Sequence, residues 1–322
     1  MMIYNTTIVQ KLILDAADRC VAIRSLFGFD NKPVSQEEIN YPLAIYKNAR
    51  MFHTLFMLSS FYRPQNEYCI AVSGSADPSF KILMNEVDQC FHNVRVLHRP
   101  EISWGSFEII NSTYACLQVL SNSTTPWKYF QYLSGVDIPL KTNLEMIKIF
   151  KQWNDTINVE ITRFQKQRIN GKSSPESREL LHFLQNTSIP DESFWATISG
   201  NVDKFPIPGG THAERWLQYR EQYRTNHYKE LELFEKTKHR MRYYLSRFQE
   251  WQGSGCSGKL ASGSCVFGVD DLTDLLKQPH LVAHKFYIDF ESAAYFCGLK
   301  EIRSRESKPL QLDVTPYSKI PQ

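Results

Sequence analysis

The segment Glu67-Tyr-Cys-Ile-Ala-Val72 predicts a buried β-strand, because its apolar run is continuous and has the length of a strand. The turn-forming residues Pro64-Gln-Asn66 lie directly before it. Apolar spacing predicts one helix upstream over Met51–Tyr62 and another downstream over Pro78–Cys90. A strand between two helices indicates the alternation of an α/β sheet.

The same alternation continues toward the C-terminus. Strands are predicted over Asn93–Leu97 and Tyr129–Leu133, with a helix over Phe107–Leu120 between them. Strands joined by helices predict parallel pairing, so we expect an α/β fold with a mostly parallel sheet flanked by helices. Ligands bind such sheets beyond the carboxyl ends of the strands, which places Ser73-Gly74 and Ser134-Gly-Val-Asp137 at the predicted crevice.

The second half of the chain is more helical in pattern. Helices are predicted over Ser174–Gln185, over the long basic and aromatic stretch Ala213–Phe248, and over Leu272–Lys277, with Asp270 or Asp271 as its cap. A loop is expected over Thr187–Glu192 and a short strand over Val266–Gly268. The long helix carries Trp216, Tyr219 and Tyr223, which indicate either a core-facing stripe or a surface for an anionic partner.

Composition excludes several classes of protein. The 322 residues are 42% hydrophobic and 22% charged, as in ordinary soluble domains, and the net charge of +3 gives no argument for nucleic acid. No run of eighteen apolar residues occurs, and residues 1–20 do not have the pattern of a signal peptide.

Cysteines and glycosylation sequons bear on the compartment. Seven cysteines are distributed along the chain, and their spacing is not that of metal ligands. They are therefore either reduced thiols in the core or members of disulfides. Five acceptor sequons favour an oxidising, glycosylating compartment, and hence a targeting segment that is either missing from this chain or disguised in it. The sequon asparagines are Asn5, Asn111, Asn122, Asn154 and Asn186.

The block from Trp127 to Asn143, Trp-Lys-Tyr-Phe-Gln-Tyr-Leu-Ser-Gly-Val-Asp-Ile-Pro-Leu-Lys-Thr-Asn, resembles the hallmark of the core 2/I-branching β-1,6-N-acetylglucosaminyltransferases. These form glycosyltransferase family 14, which also includes peptide xylosyltransferases. The resemblance extends roughly from Cys20 to Cys297 through further blocks in the same order. They are Tyr62–Cys69, Cys90–Val94, Ile102–Gly105, Pro190–Thr197, Cys265–Gly268 and His280–Phe286.

The resemblance implies a GT-A-like fold, an inverting reaction without a metal or other cofactor, and type II membrane topology in the Golgi. It implies three disulfides, Cys20–Cys90, Cys69–Cys116 and Cys256–Cys265. Cys297 matches a family cysteine whose N-terminal partner is absent here. We accordingly expect residues 1–19 to be a remnant of the stem, 20–300 the catalytic domain and 301–322 a tail.

Inverting transfer needs a base for the acceptor hydroxyl and positive charge for the leaving nucleotide diphosphate. By the resemblance, Glu192 is the base, and Phe194 and Trp195 are expected to keep its carboxyl partly dry. On the sequence alone, Glu192 is better explained as a carboxylate favoured by the first turn of a helix.

On the donor side, Lys285 matches a residue that contacts the diphosphate, and Asp137 and Ser73 are expected at the nucleotide. No Asp-x-Asp triplet, the usual metal–diphosphate ligand, occurs in the chain. The family has a second basic residue where this chain has Ser262, and Lys259 lies close enough in sequence to replace it. At position 73 the family usually has an aspartate instead of serine.

On the acceptor side, Glu160 matches a carboxylate that binds sugar hydroxyls. Trp251 matches a tryptophan that lines the acceptor site, with a core tryptophan beside a turn as the alternative. Lys166 and Arg168 are expected in the adjoining loop.

The chain departs from the family pattern between Glu160 and Glu192, where the segment is shorter and lacks the strand that the resemblance implies before the Ser177-Arg-Glu-Leu-Leu helix. The leading hypothesis is transfer of N-acetylglucosamine from its UDP sugar to an O-glycan. The alternatives are a xylosyltransferase activity, a catalytically impaired lumenal glycan-binding protein, and a polyanion-binding module built on the basic helix.

Overall fold

The structure is a computed structural model, and it describes residues 6–29, 34–49, 53–163, 165, 167, 180–226, 244–253, 255–308 and 311–319. The chain divides into two compact units. The first unit contains residues 1–101, 113–147 and 247–312, and the second contains 102–112, 148–246 and 313–322.

The first unit is built on a parallel four-stranded sheet. Its strands are β1 (Leu43–Ala49), β2 (Glu67–Val72), β3 (Val94–His98) and β4 (Tyr129–Leu133), in the order β3-β2-β1-β4. Every pairing in this sheet is parallel, which confirms the predicted α/β class. The sequence pattern did not predict β1, although it is a central strand.

Helices flank this sheet, and the three predicted over Met51–Tyr62, Pro78–Cys90 and Phe107–Leu120 occur with closely similar bounds. The helices are α1 (Thr6–Leu14), α2 (Arg19–Phe27), α3 (Gln36–Ile39), α4 (His53–Phe61), α5 (Pro78–Cys90), α6 (Glu108–Ser121) and α7 (Asn143–Trp153). Asp77 caps α5 by accepting from the N–H groups of Ser79 and Phe80, and Pro78 occupies its first turn. This sharp start explains why α5 begins where its sequence predicts.

The last part of the first unit carries shorter elements. A three-stranded sheet has the order β5-β9-β6, with β5 at Ile138–Pro139, β6 at Arg247–Gln249 and β9 at Val282–His284. A hairpin joins β7 (Lys259–Ala261) to β8 (Ser264–Val266). Two helices, α11 (Leu272–Leu275) and α12 (Ile288–Ser307), complete the first unit. Their numbers follow α8 to α10, which precede them in the chain and belong to the second unit.

Three predictions for this region need correction. The helix predicted through Phe248 is wrong at its end, because residues 247–249 pair with β9 as a strand. The predicted strand at 266–268 lies two residues earlier, where Ser264–Val266 pairs within the hairpin. Asp271 accepts hydrogen bonds from the backbone N–H groups of Gly268 and Ser257, so its side chain fixes the turn before α11 instead of capping that helix.

The three disulfides occur as expected. Cys20–Cys90 ties α2 to the end of α5, Cys69–Cys116 ties β2 to α6, and Cys256–Cys265 closes the hairpin. Cys297 is free and exposed on α12. The reduced-thiol reading is therefore wrong for six of the seven cysteines.

Buried residues occur on both sides of the expected boundaries at residues 19 and 300. Ile13 of α1 is fully buried, so the N-terminal stretch contributes to the core. At the other end, α12 runs past residue 300 to Ser307, with Ile302 fully buried.

The second unit contains α8 (Leu180–Gln185), α9 (Asp191–Ser199) and α10 (Ala213–Asn226). One apolar cluster joins Phe194 of α9 to Ile110 and Leu184, and another joins Trp216 of α10 to Ile161. Tyr219 packs against the second cluster, which confirms the core-facing reading of this stripe for Trp216 and Tyr219. Residues 227–243 of the predicted long helix and 168–179 around the expected missing strand lie outside the described residues.

Among the helices that the structure describes, none combines the length and the apolar character needed to cross a bilayer.

Candidate active site

The turn Ser134–Asp137 follows β4 at the carboxyl edge of the parallel sheet, as predicted. Lys47 of β1 donates from Nζ to the Ser134 carbonyl oxygen at 2.9 Å. His53 of α4 makes a hydrogen bond to the backbone of Gly135. A Cβ atom at position 135 would lie 2.9 Å from Asn48 Oδ1, so a larger residue would require the Asn48 side chain to move.

Asp137 is buried inside this turn and is bound on both carboxylate oxygens. Oδ2 accepts from the backbone N–H of Ser134 at 2.7 Å, and Oδ1 lies 2.7 Å from Nδ1 of His284 on β9. Burial would raise the pKa of Asp137, but the hydrogen bond from His284, the charge of Arg247 and the Ser134 N–H hold it well below the ordinary value. Asp137 is therefore an ionised group that organises the turn from within.

His284 is a site residue that the sequence analysis missed. Its imidazole is 16% exposed, and burial lowers its pKa against the opposing effect of Asp137. A neutral imidazole facing an ionised carboxylate at this distance carries its proton on Nδ1 and donates it to Asp137. The only sequence signal was its position directly before Lys285.

Lys47 was also missed, because a lysine in an apolar run argues against a buried strand. Burial lowers its pKa from 10.5 to about 7, while the charge of Asp137 opposes the shift. Burial and the charge of Lys47 together lower the pKa of His53 to about 4. The turn is thus held by a lysine, a neutral histidine and a carboxylate–imidazole pair.

Lys285 lies directly after this pair and is buried. Its Nζ donates to the carbonyl oxygen of Ala261 on the hairpin at 2.6 Å, and burial lowers its pKa. Its own carbonyl oxygen accepts from the N–H of Phe267, and its N–H donates to the carbonyl oxygen of Cys265. The predicted diphosphate lysine is therefore held against the disulfide-closed hairpin.

Lys259, the proposed substitute for the missing basic residue, lies near Lys285. Its Nζ is 5.9 Å from the ring centroid of Tyr287 and 4.7 Å from that of Phe290, and Lys285 Nζ is 5.5 Å from the same Tyr287 ring. Two ammonium groups thus approach one aromatic ring. Ser262 is exposed at the hairpin turn with φ of 46°.

Trp251 is 49% exposed and pairs as an isolated bridge with Ser264 of the hairpin. The alternative of a core tryptophan is therefore wrong. Ser73 lies at the end of β2 and is buried, with its hydroxyl 3.0 Å from that of Ser75. Ser73, Asp137, Lys259, Lys285 and Trp251 all belong to the first unit.

Glu192 belongs to the second unit and lies in the first turn of α9. The loop expected over Thr187–Glu192 therefore ends earlier than predicted, because the helix begins at Asp191. Glu192 is exposed. The expectation that Phe194 and Trp195 shield its carboxyl from water is therefore wrong. Phe194 is instead buried in the apolar cluster, with Trp195 packed against it.

Glu160 also belongs to the second unit. Its Oε1 lies 2.9 Å from Nη1 of Arg220 on α10, and both side chains are largely buried. Arg220 therefore orients the carboxylate that the resemblance assigns to sugar hydroxyls. Lys166 and Arg168, expected nearby, lie outside the described residues.

The sequon asparagines occupy different environments. Asn122, Asn154 and Asn186 are exposed, whereas Asn111 is half-buried within α6 and donates to Glu108 Oε2. Asn5 lies outside the described residues. Among the described side chains, no group of three or more His, Cys, Asp or Glu residues is arranged to hold a metal ion.

Comparisons with known proteins agree with this architecture. Residues 41–182 match the family model described as Core-2/I-Branching enzyme. N-acetyllactosaminide beta-1,6-N-acetylglucosaminyl-transferase of Mus musculus is 25% identical to the chain over 371 residues, covering 95% of this chain and 84% of the mouse protein.

Two further relatives carry one description, beta-1,3-galactosyl-O-glycosyl-glycoprotein beta-1,6-N-acetylglucosaminyltransferase. The protein from Bos taurus is 27% identical over 354 residues, covering 91% of this chain and 77% of its own length. The form numbered 3 from Homo sapiens is 25% identical over 339 residues, covering 86% and 72%. The parallel sheet flanked by helices is consistent with a GT-A-like fold. These matches support a glycosyltransferase that is similar to the core 2/I-branching enzymes.

Proposed function

We propose that this protein transfers N-acetylglucosamine from UDP-N-acetylglucosamine to a hydroxyl group of an O-glycan, forming a β-1,6 branch with inversion and without a metal. The named relatives support the transferred sugar and the linkage, since each is described as a beta-1,6-N-acetylglucosaminyltransferase. The observation that carries the proposal is the approach of two lysine ammonium groups, from Lys259 and Lys285, to the ring of Tyr287.

In the proposed reaction Glu192 accepts the proton of the acceptor hydroxyl as that oxygen attacks the anomeric carbon. A new carbon–oxygen bond forms there, and the bond from the anomeric carbon to the diphosphate oxygen breaks on the opposite face. The bonding electron pair leaves with UDP, so the configuration inverts and no redox partner is needed. Glu192 is exposed in the first turn of α9, so its carboxyl is accessible to an acceptor.

Lys285 and Lys259 stabilise the negative charge that develops on the departing UDP. Lys285 Nζ donates to the Ala261 carbonyl oxygen, and in the proposed complex a diphosphate oxygen takes the place of that carbonyl as the acceptor. Lys259 is exposed and supplies the second charge. We propose that Asp137 acts on the donor site indirectly, since both of its carboxylate oxygens are bound by protein groups.

For the acceptor, we propose that Glu160 accepts hydrogen bonds from sugar hydroxyls while Arg220 holds it in place. The half-exposed indole of Trp251 offers a flat apolar face to a sugar ring. We expect the protein to act in the Golgi lumen, with partners limited to the donor and a glycan or glycoprotein acceptor.

The test is a transfer assay with UDP-N-acetylglucosamine and an O-glycan acceptor in EDTA. Glu192→Gln is expected to lower kcat by about 10²–10⁴-fold without weakening UDP binding, as for loss of a general base. Asp191→Asn is the matched control, because it removes a carboxylate from the same helical turn. Equal activity of Glu192→Gln and wild type would remove Glu192 from the mechanism, and loss of activity in EDTA would remove metal independence.

A catalytically impaired glycan-binding protein is the second candidate. Ser262 and Ser73 favour it, because they stand where the resemblance expects a basic residue and an aspartate. Calorimetry separates the two functions, since an enzyme binds UDP and an impaired protein does not at millimolar nucleotide. Competition between UDP-N-acetylglucosamine and UDP-xylose separates the xylosyltransferase alternative.

A further inference from the structure

The two residues next to Lys285 in the chain both form hydrogen bonds with the Ser134–Asp137 turn. Before Lys285, His284 binds the Asp137 carboxylate through Nδ1 at 2.7 Å. After Lys285, the N–H of Phe286 donates to the carbonyl oxygen of Val136 at 2.9 Å. Lys285 is thus placed between two residues that each contact this turn.

The turn itself is anchored to the parallel sheet. Lys47 Nζ donates to the Ser134 carbonyl oxygen, and the Ser134 N–H donates to Asp137 Oδ2. The Ser134 hydroxyl lies 3.3 Å from His284 Nδ1 as well. His284 is therefore the side chain through which the sheet edge fixes the end of β9.

We propose that His284 is a positioning residue for Lys285: its Nδ1–H bond to Asp137 fixes the backbone that presents the lysine to the diphosphate of the donor. The inference rests on the proposed role of Lys285 in binding UDP. Removing the bond leaves the Asp137 carboxylate buried without its imidazole and frees the end of β9 to shift. A displacement of about 1 Å at a charged group is enough to weaken an interaction that depends on its position.

The first experiment measures UDP affinity by calorimetry for wild type, His284→Phe and His284→Asn. Phenylalanine keeps an aromatic ring without a donor, whereas the asparagine amide retains a donor for Asp137. We expect His284→Phe to raise the Kd for UDP by at least about tenfold and His284→Asn to restore most of that loss. His92→Phe is the matched control, because it places the same substitution on an exposed histidine of the same unit.

The outcomes are distinguishable. If wild type binds no UDP, the proposed function fails before His284 is tested. If wild type binds UDP and the folded His284→Phe protein binds it equally well, or if His284→Asn is as weak as His284→Phe, the positioning role is overturned.

A second measurement needs no substitution that risks the fold. Nitrogen-15 NMR of histidine-labelled wild type reports which ring nitrogen carries the proton, and His284→Asn assigns the signal by its loss. We expect a neutral His284 protonated on Nδ1 at neutral pH, and a proton on Nε2 alone would overturn the inference.

Discussion

Lys47 combines a buried position in β1 with a hydrogen bond from Nζ to the Ser134 carbonyl oxygen. Burial lowers the pKa of Lys47 from 10.5 to about 7. Between these two pH values Lys47 is therefore protonated in the unfolded chain and neutral in the folded chain. Through this group, stability is expected to rise as the pH rises from about 7 toward 10. Below about pH 7 Lys47 is charged in both states, and the full cost of burying its charge then lowers the free energy of unfolding.

Lys47→Met is therefore expected to flatten the rise in the free energy of unfolding across this pH range, by an amount on the order of a few kcal/mol at most. Urea unfolding at a series of pH values measures the slope. Lys128→Met, on an exposed lysine, should leave the slope unchanged. An identical slope in Lys47→Met and wild type would show that Lys47 does not titrate in this window.

At the scale of elements, α6 carries a sequon whose surroundings oppose glycosylation. Asn111 donates to Glu108, and both following sequon residues, Ser112 and Thr113, are buried. The sequon at Asn122 follows the end of the same helix, and its asparagine is exposed.

We predict that protein secreted from a glycosylating cell carries a glycan at Asn122 and none at Asn111. Glycopeptide mass spectrometry measures the occupancy, and Asn122→Gln should lower the mass by one glycan while Asn111→Gln leaves it unchanged. Full occupancy of Asn111 would contradict the placement of this asparagine within a packed helix.

The disulfides differ in the length of chain that they constrain. Cys20–Cys90 spans 70 residues and Cys256–Cys265 spans 9. On the loop-entropy model the first contributes ~4 kcal/mol and the second ~3 kcal/mol.

Replacing both cysteines of Cys20–Cys90 by serine is thus expected to lower the free energy of unfolding more than the same change at Cys256–Cys265. The hairpin pair should instead have the larger effect on UDP affinity, because Lys285 donates to Ala261 of that hairpin. Urea unfolding and calorimetry give the two quantities, and the reverse order of UDP effects would contradict the role of the hairpin.

At the scale of the whole molecule, a ligand that binds only the folded state stabilises it by mass action. Donor at a hundredfold excess over its Kd contributes ~2.7 kcal/mol. We predict that UDP-N-acetylglucosamine raises Tm in EDTA by a few degrees, whereas free N-acetylglucosamine, which lacks the diphosphate, does not.

Lys285→Ala is the informative variant for this measurement. If it shows the same shift in Tm as wild type, the diphosphate does not bind at Lys285. A shift that appears only after addition of a divalent cation would instead indicate a metal-dependent donor site.

Sequence patterns recovered the elements whose determinants are local. The continuous apolar run at Glu67–Val72 and the capped, proline-initiated helix Pro78–Cys90 occur with the predicted bounds. Strand Leu43–Ala49 was missed because Lys47 and Asn48 interrupt its apolar pattern, and residues 247–249 were predicted as helix although they pair with β9. Pairing with a distant strand is a tertiary effect that overrides local propensity.

The sequence by itself determined the α/β class, and through its resemblance to a family it determined the disulfide partners and the expected site residues. Only the tertiary structure decided that Asp137 binds His284, 147 positions away, and that Lys47 and Phe286 hold the same turn. The physical reason is that local patterns report the periodicity of burial, whereas a buried charge is stable only with partners that the fold brings together. Those partners are distant in sequence, so they can be identified only once the pairing of the strands is known.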